Sequence, residues 1–472
     1  MRLSDTVLLA AAPVQGNPVP YRAQMATTLG FHIILACLGI AFPSFVLLAE
    51  FVGLRRGNET AMRLARRWSQ SMGVLIAVGA VTGTVLSFEM GLLWPGLMRT
   101  YGSVLGVPFG VEGLFFFLEA VFAGVYLWGW RRLPGWAHFW SGIPIAVSGI
   151  FGAMSVVAVN SWMNTPGGFT MKNGQITSFD FWQVYFPRAA IYEMPHMILA
   201  AYMVSGFLVA GIYAVGILRG RRDRYHYTGF ALGFIPAAIL TPFQVFVGDT
   251  AARAIASDQP VKFAAMEYVA NTSRQVPEWL GGVYINGNIY AGIKIPYLDS
   301  LLVGFGPGTK VIGWNSVTPA DRPPAVWLIH LAFDVMVGLG SLLLLHGLWA
   351  LYTWWRARSW PGPQLFWWAG AVTGVAAVAA MEAGWVVTEV GRQPWVVYNL
   401  MTTTQAATTN GGIFASLTIV IILYAVLGAV TIWILLMLSR HWRHADSDET
   451  PVPYGLPPTS IAAEGPVGQV ES

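Results

Sequence analysis

Residues 24–54 read QMATTLGFHIILACLGIAFPSFVLLAEFVGL, a run whose only ionisable groups besides the Cys37 thiol are His32 and Glu50. A membrane-crossing helix needs about 20 mostly apolar residues to pass the hydrocarbon layer. This stretch exceeds that length, so it reads as a transmembrane helix. Eight further segments qualify, near 69–92, 109–131, 138–160, 189–218, 228–248, 324–355, 364–389 and 412–439. The expected fold is therefore all-α, a polytopic membrane helix bundle of about nine transmembrane helices.

Composition agrees. The chain of 472 residues is 55% hydrophobic and 11% charged, with mean hydropathy +0.56. Soluble domains carry about 25% charged residues, so a soluble protein is excluded. The net charge of +4 is no sign of nucleic acid, and no nucleic-acid partner is expected. In a membrane protein basic residues are first sorted by side. The lone Cys37 excludes a disulfide framework and a cysteine-based metal site.

That sorting orients the chain. With the amino terminus outside, the loops after spans one, three, five and seven and the tail face the cytoplasm. They hold fifteen of the 27 Lys and Arg, among them Arg55, Arg56, Arg131, Arg219 and Arg440. The short outer loops hold only Arg99, Lys172, Arg188 and Arg392. Positive charge collects on the cytoplasmic side, so the carboxyl terminus is expected inside.

The expected organisation has five parts: an uncleaved amino-terminal extension (1–20), spans one to six (21–248), an outer loop (249–323), spans seven to nine (324–440) and a disordered cytoplasmic tail (441–472). Loops as long as 249–323 are functional or disordered. This one carries Trp279, Tyr284 and Tyr290 with Gly-Gly and Pro punctuation, and reads as a folded outer cap. The tail is rich in Pro, Gly and acid, a disorder composition. No internal repeat of the kind that builds transporters stands out.

Ionisable side chains within spans are costly and mark function. Span one holds His32, span three Glu112 and Glu119, span five Glu193 and His196, span seven His330 and Asp334 with Met336, and span eight Glu382 and Glu389. Counted from the outer end at 1.5 Å per residue, Glu112 lies about 5 Å deep, His196 about 10 Å, His32 about 15 Å and Met336 about 18 Å. His and Met are axial ligands of haem iron, and Glu and His also form proton relays. Blander readings stand beside these: a helix-to-helix hydrogen bond for a single His, core packing for Met, an interfacial pair for Glu389 and Arg392. Composition alone leaves haem and proton relay both open, including a proton-coupled transporter.

Five stretches together resemble one family. They are YRAQMATTLGFH (21–32), LGVPFGVEGLFFFLEA (105–120), NSWMNTP (160–166), FDVMVGLG (333–340) and MEAGWVVTEVGRQPW (381–395). Their order and the nine-span plan resemble subunit I of cytochrome bd-type quinol oxidases. The resemblance implies an enzyme that oxidises membrane quinol on the outer side and reduces O₂ to water. It builds proton-motive force by charge separation without pumping. It implies a bacterial cell membrane, a partner subunit II, with or without a small single-span subunit, and three haems. These are a low-spin haem b, a high-spin haem b, and a haem d or third haem b. His196 and Met336 match the low-spin axial ligands. His32, Glu112 and Glu389 match ligands of the high-spin pair. Glu119 matches a proton-path carboxylate and Asn160 a polar neighbour of the haems. Arg392 would pair with propionates, Gly391 would let backbone approach a ring, and Trp395 closes the cofactor-binding motif. Lys262 and Glu267 match residues tied to quinol oxidation.

The chain departs from the family in three places. Asp334 stands where an Arg is usual, with His330 a second candidate ligand on that span. Ala120 stands where a hydroxyl is common. The continuation after His32 is not aromatic-rich. Asp334 and Ala120 motivate a second reading, a haem-binding electron carrier or redox sensor without O₂ reduction.

Overall fold

The computed structural model describes residues 19–444 apart from 286. The extension up to residue 18 and the tail from residue 445 lie outside the described residues. Nine helices long and apolar enough to cross a membrane are present among those described. They are α1 (Val19–Arg56), α2 (Glu59–Leu93), α3 (Pro95–Gly129), α4 (Gly135–Asn164), α5 (Ala190–Leu218), α6 (Arg224–Asp258), α7 (Val326–Ala357), α8 (Gln364–Gly391) and α9 (Ile413–His444).

Several helices outrun their hydropathy limits. The helix of span two begins at Glu59, where Asn58 caps it by accepting the Ala61 N–H at 3.2 Å. The helix of span six continues to Asp258, so residues 249–258 of the expected loop are helical. Hydropathy marks only the lipid-facing part, whereas i→i−4 hydrogen bonds continue into water when capped.

α1 lies at the centre, packed on α2, α4, α5 and α9. α5 is the most buried span and packs on α6 and α8. Lipid offers no hydrophobic drive between helices, so close packing through small residues holds them together. A Cβ on Gly206 of α5 would sit 2.7 Å from the Gly233 carbonyl of α6, and one on Gly374 of α8 would sit 2.7 Å from Leu208 Cα. At one end of the bundle, Glu50 accepts hydrogen bonds from Tyr126 at 2.6 Å and His138 at 2.7 Å, tying α1, α3 and α4 in a dry core.

That end has only short connections. The opposite end carries the long ones: a hairpin (Phe169–Lys172 with Gln175–Phe179), the segment between α6 and α7, and residues between α8 and α9. The α6–α7 segment contains two short helices, Pro260–Met266 and Leu298–Gly304, and three small antiparallel ladders. It has its own apolar core around Phe263, Tyr268, Val269 and Trp314. These connections interlock, since the Tyr398 N–H donates to Met163 O at 2.9 Å and Gln259 Nε2 to Asn164 O at 2.8 Å.

Candidate functional site

Two cavities open at the end that carries the long connections. The first, about 390 Å³, is lined by His32 of α1, Glu112 and Glu119 of α3, and Glu389 and Arg392 at the end of α8. The second, about 460 Å³, is lined by His196 of α5, Met336 of α7, Lys262 and Glu267. Both volumes lie in the range of about 300–1,000 Å³ of ligand pockets. Asn160 and Trp385 line both, forming a shared wall.

In the first cavity, His32 Nδ1 lies 2.8 Å from Thr82 Oγ1, whose hydroxyl reaches the Gly79 carbonyl at 3.0 Å. Because that hydroxyl donates to Gly79, Nδ1–H donates to Oγ1 and leaves the lone pair on Nε2. This is the outer-shell pattern of a metal-binding histidine. A Cβ on Gly83 would stand 3.1 Å from His32 Cε1, so glycine makes room for the ring. Arg392 is 4% exposed. Its Nη2 donates to Glu389 at 2.6 Å and its Nη1 to Asn160 at 3.0 Å. Its Nε is buried without a partner.

In the second cavity, His196 Nε2 lies 3.2 Å from the Gln244 side-chain nitrogen, while its Nδ1 is buried and unpartnered. Two glycines clear space for the two sulfur and nitrogen side chains. A Cβ on Gly248 would meet His196 Cε1 at 3.2 Å, and one on Gly384 would meet Met336 Sδ at 3.0 Å. An orphaned imidazole nitrogen, a thioether and room beside both fit a haem that would be held by His196 and Met336.

Polar side chains connect the cavities. Asn164 Nδ2 donates to Asn160 at 3.0 Å and to Glu193 at 2.8 Å, and Ser161 donates to Glu193 at 2.7 Å. Lys262 is 3% exposed, and burial lowers its ammonium pKa to about 8 against the opposing pull of Glu193. Burial and the neighbouring Glu278 push Glu267 well above the usual carboxylate range. Burial and Glu278 push Asp299 up to about 8.

Most sequence-predicted residues therefore meet: His32, Glu112, Glu119, Glu389 and Arg392 at one cavity, His196, Met336, Lys262 and Glu267 at the other. Trp395 does not join them. It sits in a short strand, Trp395–Val397, outside both linings, and Trp385 is the tryptophan that lines them. The space above Gly391 is taken by the Lys262 stem, 3.0 Å from where a Cβ would be, not by a ring. His330 presents no nitrogen to either cavity. Its Nδ1 faces Met266 O at 2.5 Å, and its Nε2 faces Gly281 O at 3.2 Å and Asp334 at 3.3 Å. Asp334 accepts the Gly281 N–H, so both side chains anchor the α6–α7 segment. Sequence reasoning missed Gln244, Glu278 and Asp299, each set in place by tertiary contacts. It quoted Asn164 within a motif and gave it no role.

The chain matches the family model for cytochrome bd terminal oxidase subunit I over residues 21–442. It belongs to that family. A Bacillus subtilis (strain 168) chain provisionally named cytochrome bd menaquinol oxidase subunit I is 31% identical over 428 residues, covering 89% of this chain and 96% of the relative. The cytochrome bd ubiquinol oxidase subunit 1 of the same strain is 29% identical over 449 residues, covering 91% and 95%. The structure of bd oxidase from Geobacillus thermodenitrificans superposes with TM-score 0.84 at 33% identity, covering 90% of this chain and 98% of that one. This cytochrome bd subunit I is thus an oxidoreductase subunit of a terminal quinol oxidase, a multi-pass membrane protein that carries haem and works with a subunit II.

Proposed function

We propose that the second cavity is where quinol is oxidised and the first is where O₂ is reduced. When bound, haem supplies one-electron transfer at the second cavity and O₂ reduction at the first. His196 and Met336 would hold the low-spin haem b. His32, Glu112 and Glu389 would hold a high-spin haem b and a haem d or third haem b. The observation that carries this reading is the unpartnered Nδ1 of His196 beside Met336, both cleared by glycines.

The chain's own residues divide the remaining work. Lys262 offers a nearly buried ammonium to a quinol oxygen, and Glu267 accepts a proton as quinol is oxidised. Arg392, with its free Nε, binds a propionate as a planar fork. Glu119, two turns along α3 from Glu112, passes protons toward the first cavity. With the amino terminus outside and the carboxyl terminus cytoplasmic, quinol protons leave outside and those for water enter from the cytoplasm. Charge separation then needs no pump. A bacterial cell membrane, subunit II and a small single-span subunit complete the reading.

Pyridine-haemochrome analysis of the purified oxidase, with O₂ uptake on quinol, tests it. Three haems per subunit I and quinol-dependent uptake are expected. Haem without uptake would favour an electron carrier or sensor, and a preparation lacking haem would sink the reading.

A further inference from the structure

Glu267, Glu278 and Asp299 come from three separate parts of the α6–α7 segment. Glu267 follows the helix Pro260–Met266, Glu278 opens the strand Glu278–Leu280, and Asp299 lies in the first turn of Leu298–Gly304. They are 4%, 6% and 1% exposed. One oxygen of each lies within 4.8 Å of the others. Asp299 is the most deeply buried, and neither of its oxygens has a hydrogen-bond partner. One oxygen each of Glu267 and Glu278 is likewise unpartnered.

Among the described residues no Lys or Arg forms an ion pair with them, and His330 is the one basic group that Glu278 feels. The ion pairs among the described residues include none of the three. Of the basic groups on the same cavity, Arg253 pairs with Asp249, and the charge that Lys262 feels most is Glu193. Asp334 adds a fourth acidic group nearby. A buried carboxylate keeps its charge only when it is paired or bound to metal, and otherwise takes up a proton.

We propose that Glu267, Glu278 and Asp299 form a binding site for a hard divalent cation of calcium's size. Oxygen ligands at about 2.3–2.6 Å lie up to about 4.6–5.2 Å apart across one Ca²⁺, against about 4.2 Å across Mg²⁺. The three oxygens lie within 4.8 Å of one another, close enough to share one ion, and a set of three protein carboxylates suits Ca²⁺ over Mg²⁺, which keeps most of its waters and takes one or two carboxylates. The cavity beside the trio leaves room for waters to complete the shell. A cation there ties three loop segments together. It also shares Glu267 with the proposed proton acceptor, so cation and proton compete for one carboxylate. The proposal stands apart from quinol chemistry because binding is read on the cation itself.

The test uses the purified oxidase with its haem, stripped with EDTA and titrated with CaCl₂ by calorimetry and by ⁴⁵Ca²⁺ equilibrium dialysis. One Ca²⁺ per subunit I is expected, weakened at least tenfold by Asp299→Asn and by Glu278→Gln. Mg²⁺ should compete poorly. An unchanged haem spectrum certifies that each variant is folded. A wild type that binds no Ca²⁺ at about 1 mM, the weak end for extracellular calcium modules, overturns the site, as do folded variants that bind Ca²⁺ as tightly as wild type.

Discussion

Met336 and His196 owe their places to residues with no side chain. A Cβ on Gly384 would stand 3.0 Å from Met336 Sδ, whereas one on Gly338 of α7 would meet nothing within 4 Å. Gly384→Ala is therefore expected to change the low-spin haem b band in a reduced-minus-oxidised spectrum, and Gly338→Ala to leave it alone. Identical spectra would remove Met336 from the ligand set. Lys262 makes the second residue-scale prediction. Its pKa near 8 means the ammonium is charged below that pH and lost as pH rises through it. The KM for quinol should then climb above about pH 8, and Lys262→Met should raise it at least tenfold below that pH, with the gap to wild type closing above it. The His and carboxylate positions were legible in sequence because such groups are costly inside a span, and Met336 was legible only through the family resemblance. Gly384 and Gly248 were not, because a glycine's purpose depends on what faces it from another helix.

The α6–α7 segment is held to the bundle through α7. Tyr268 stacks on His330 with ring centroids 3.7 Å apart, and His330 and Asp334 reach the Met266 and Gly281 backbone. Leaving buried backbone groups unpaired costs about 1–3 kcal/mol. His330→Ala should accordingly speed limited proteolysis between residues 259 and 325 by about tenfold or more, with little change in the haem spectrum. A lost haem band with unchanged proteolysis would restore His330 as a ligand. pH acts on the same element. Asp299 faces Glu278 and Glu267, with Asp334 and His330 of α7 behind them. Its pKa rises from the unfolded value of 3.8 to about 8 on folding. Between those values the folded state holds more protons, so stability falls as pH rises. The EDTA-treated segment should be cut faster at pH 8.5 than at pH 6, and Ca²⁺ should reverse the difference. A sequence reading of Asp334 as a departure from the usual Arg missed this, because it could not see which backbone the carboxylate would meet.

The whole bundle exposes broad apolar faces. On α9, Ile419, Ile422, Val426, Ile432 and Trp433 are all exposed, as are Phe88 and Leu92 of α2. Such surfaces meet lipid or another membrane subunit. A tagged chain is expected to co-purify with a second multi-span subunit, and a chain that purifies alone with full O₂ uptake would refute that need. Reporter fusions after span one and at the carboxyl terminus should both read cytoplasmic. The sequence by itself determined the number of spans, and from it came the expected sidedness and the residue types proposed to hold haem. Those follow from one-dimensional physics: apolar length against bilayer thickness, basic charge against side, and the high cost of a polar group in lipid. Only the tertiary structure decided that these groups fall into two cavities with a shared wall, that His330 ties down a loop and faces neither cavity, that Trp385 and not Trp395 lines the cavities, and that three loop carboxylates converge. Each of those depends on which side chains distant segments bring within a few ångströms, and that is set by packing.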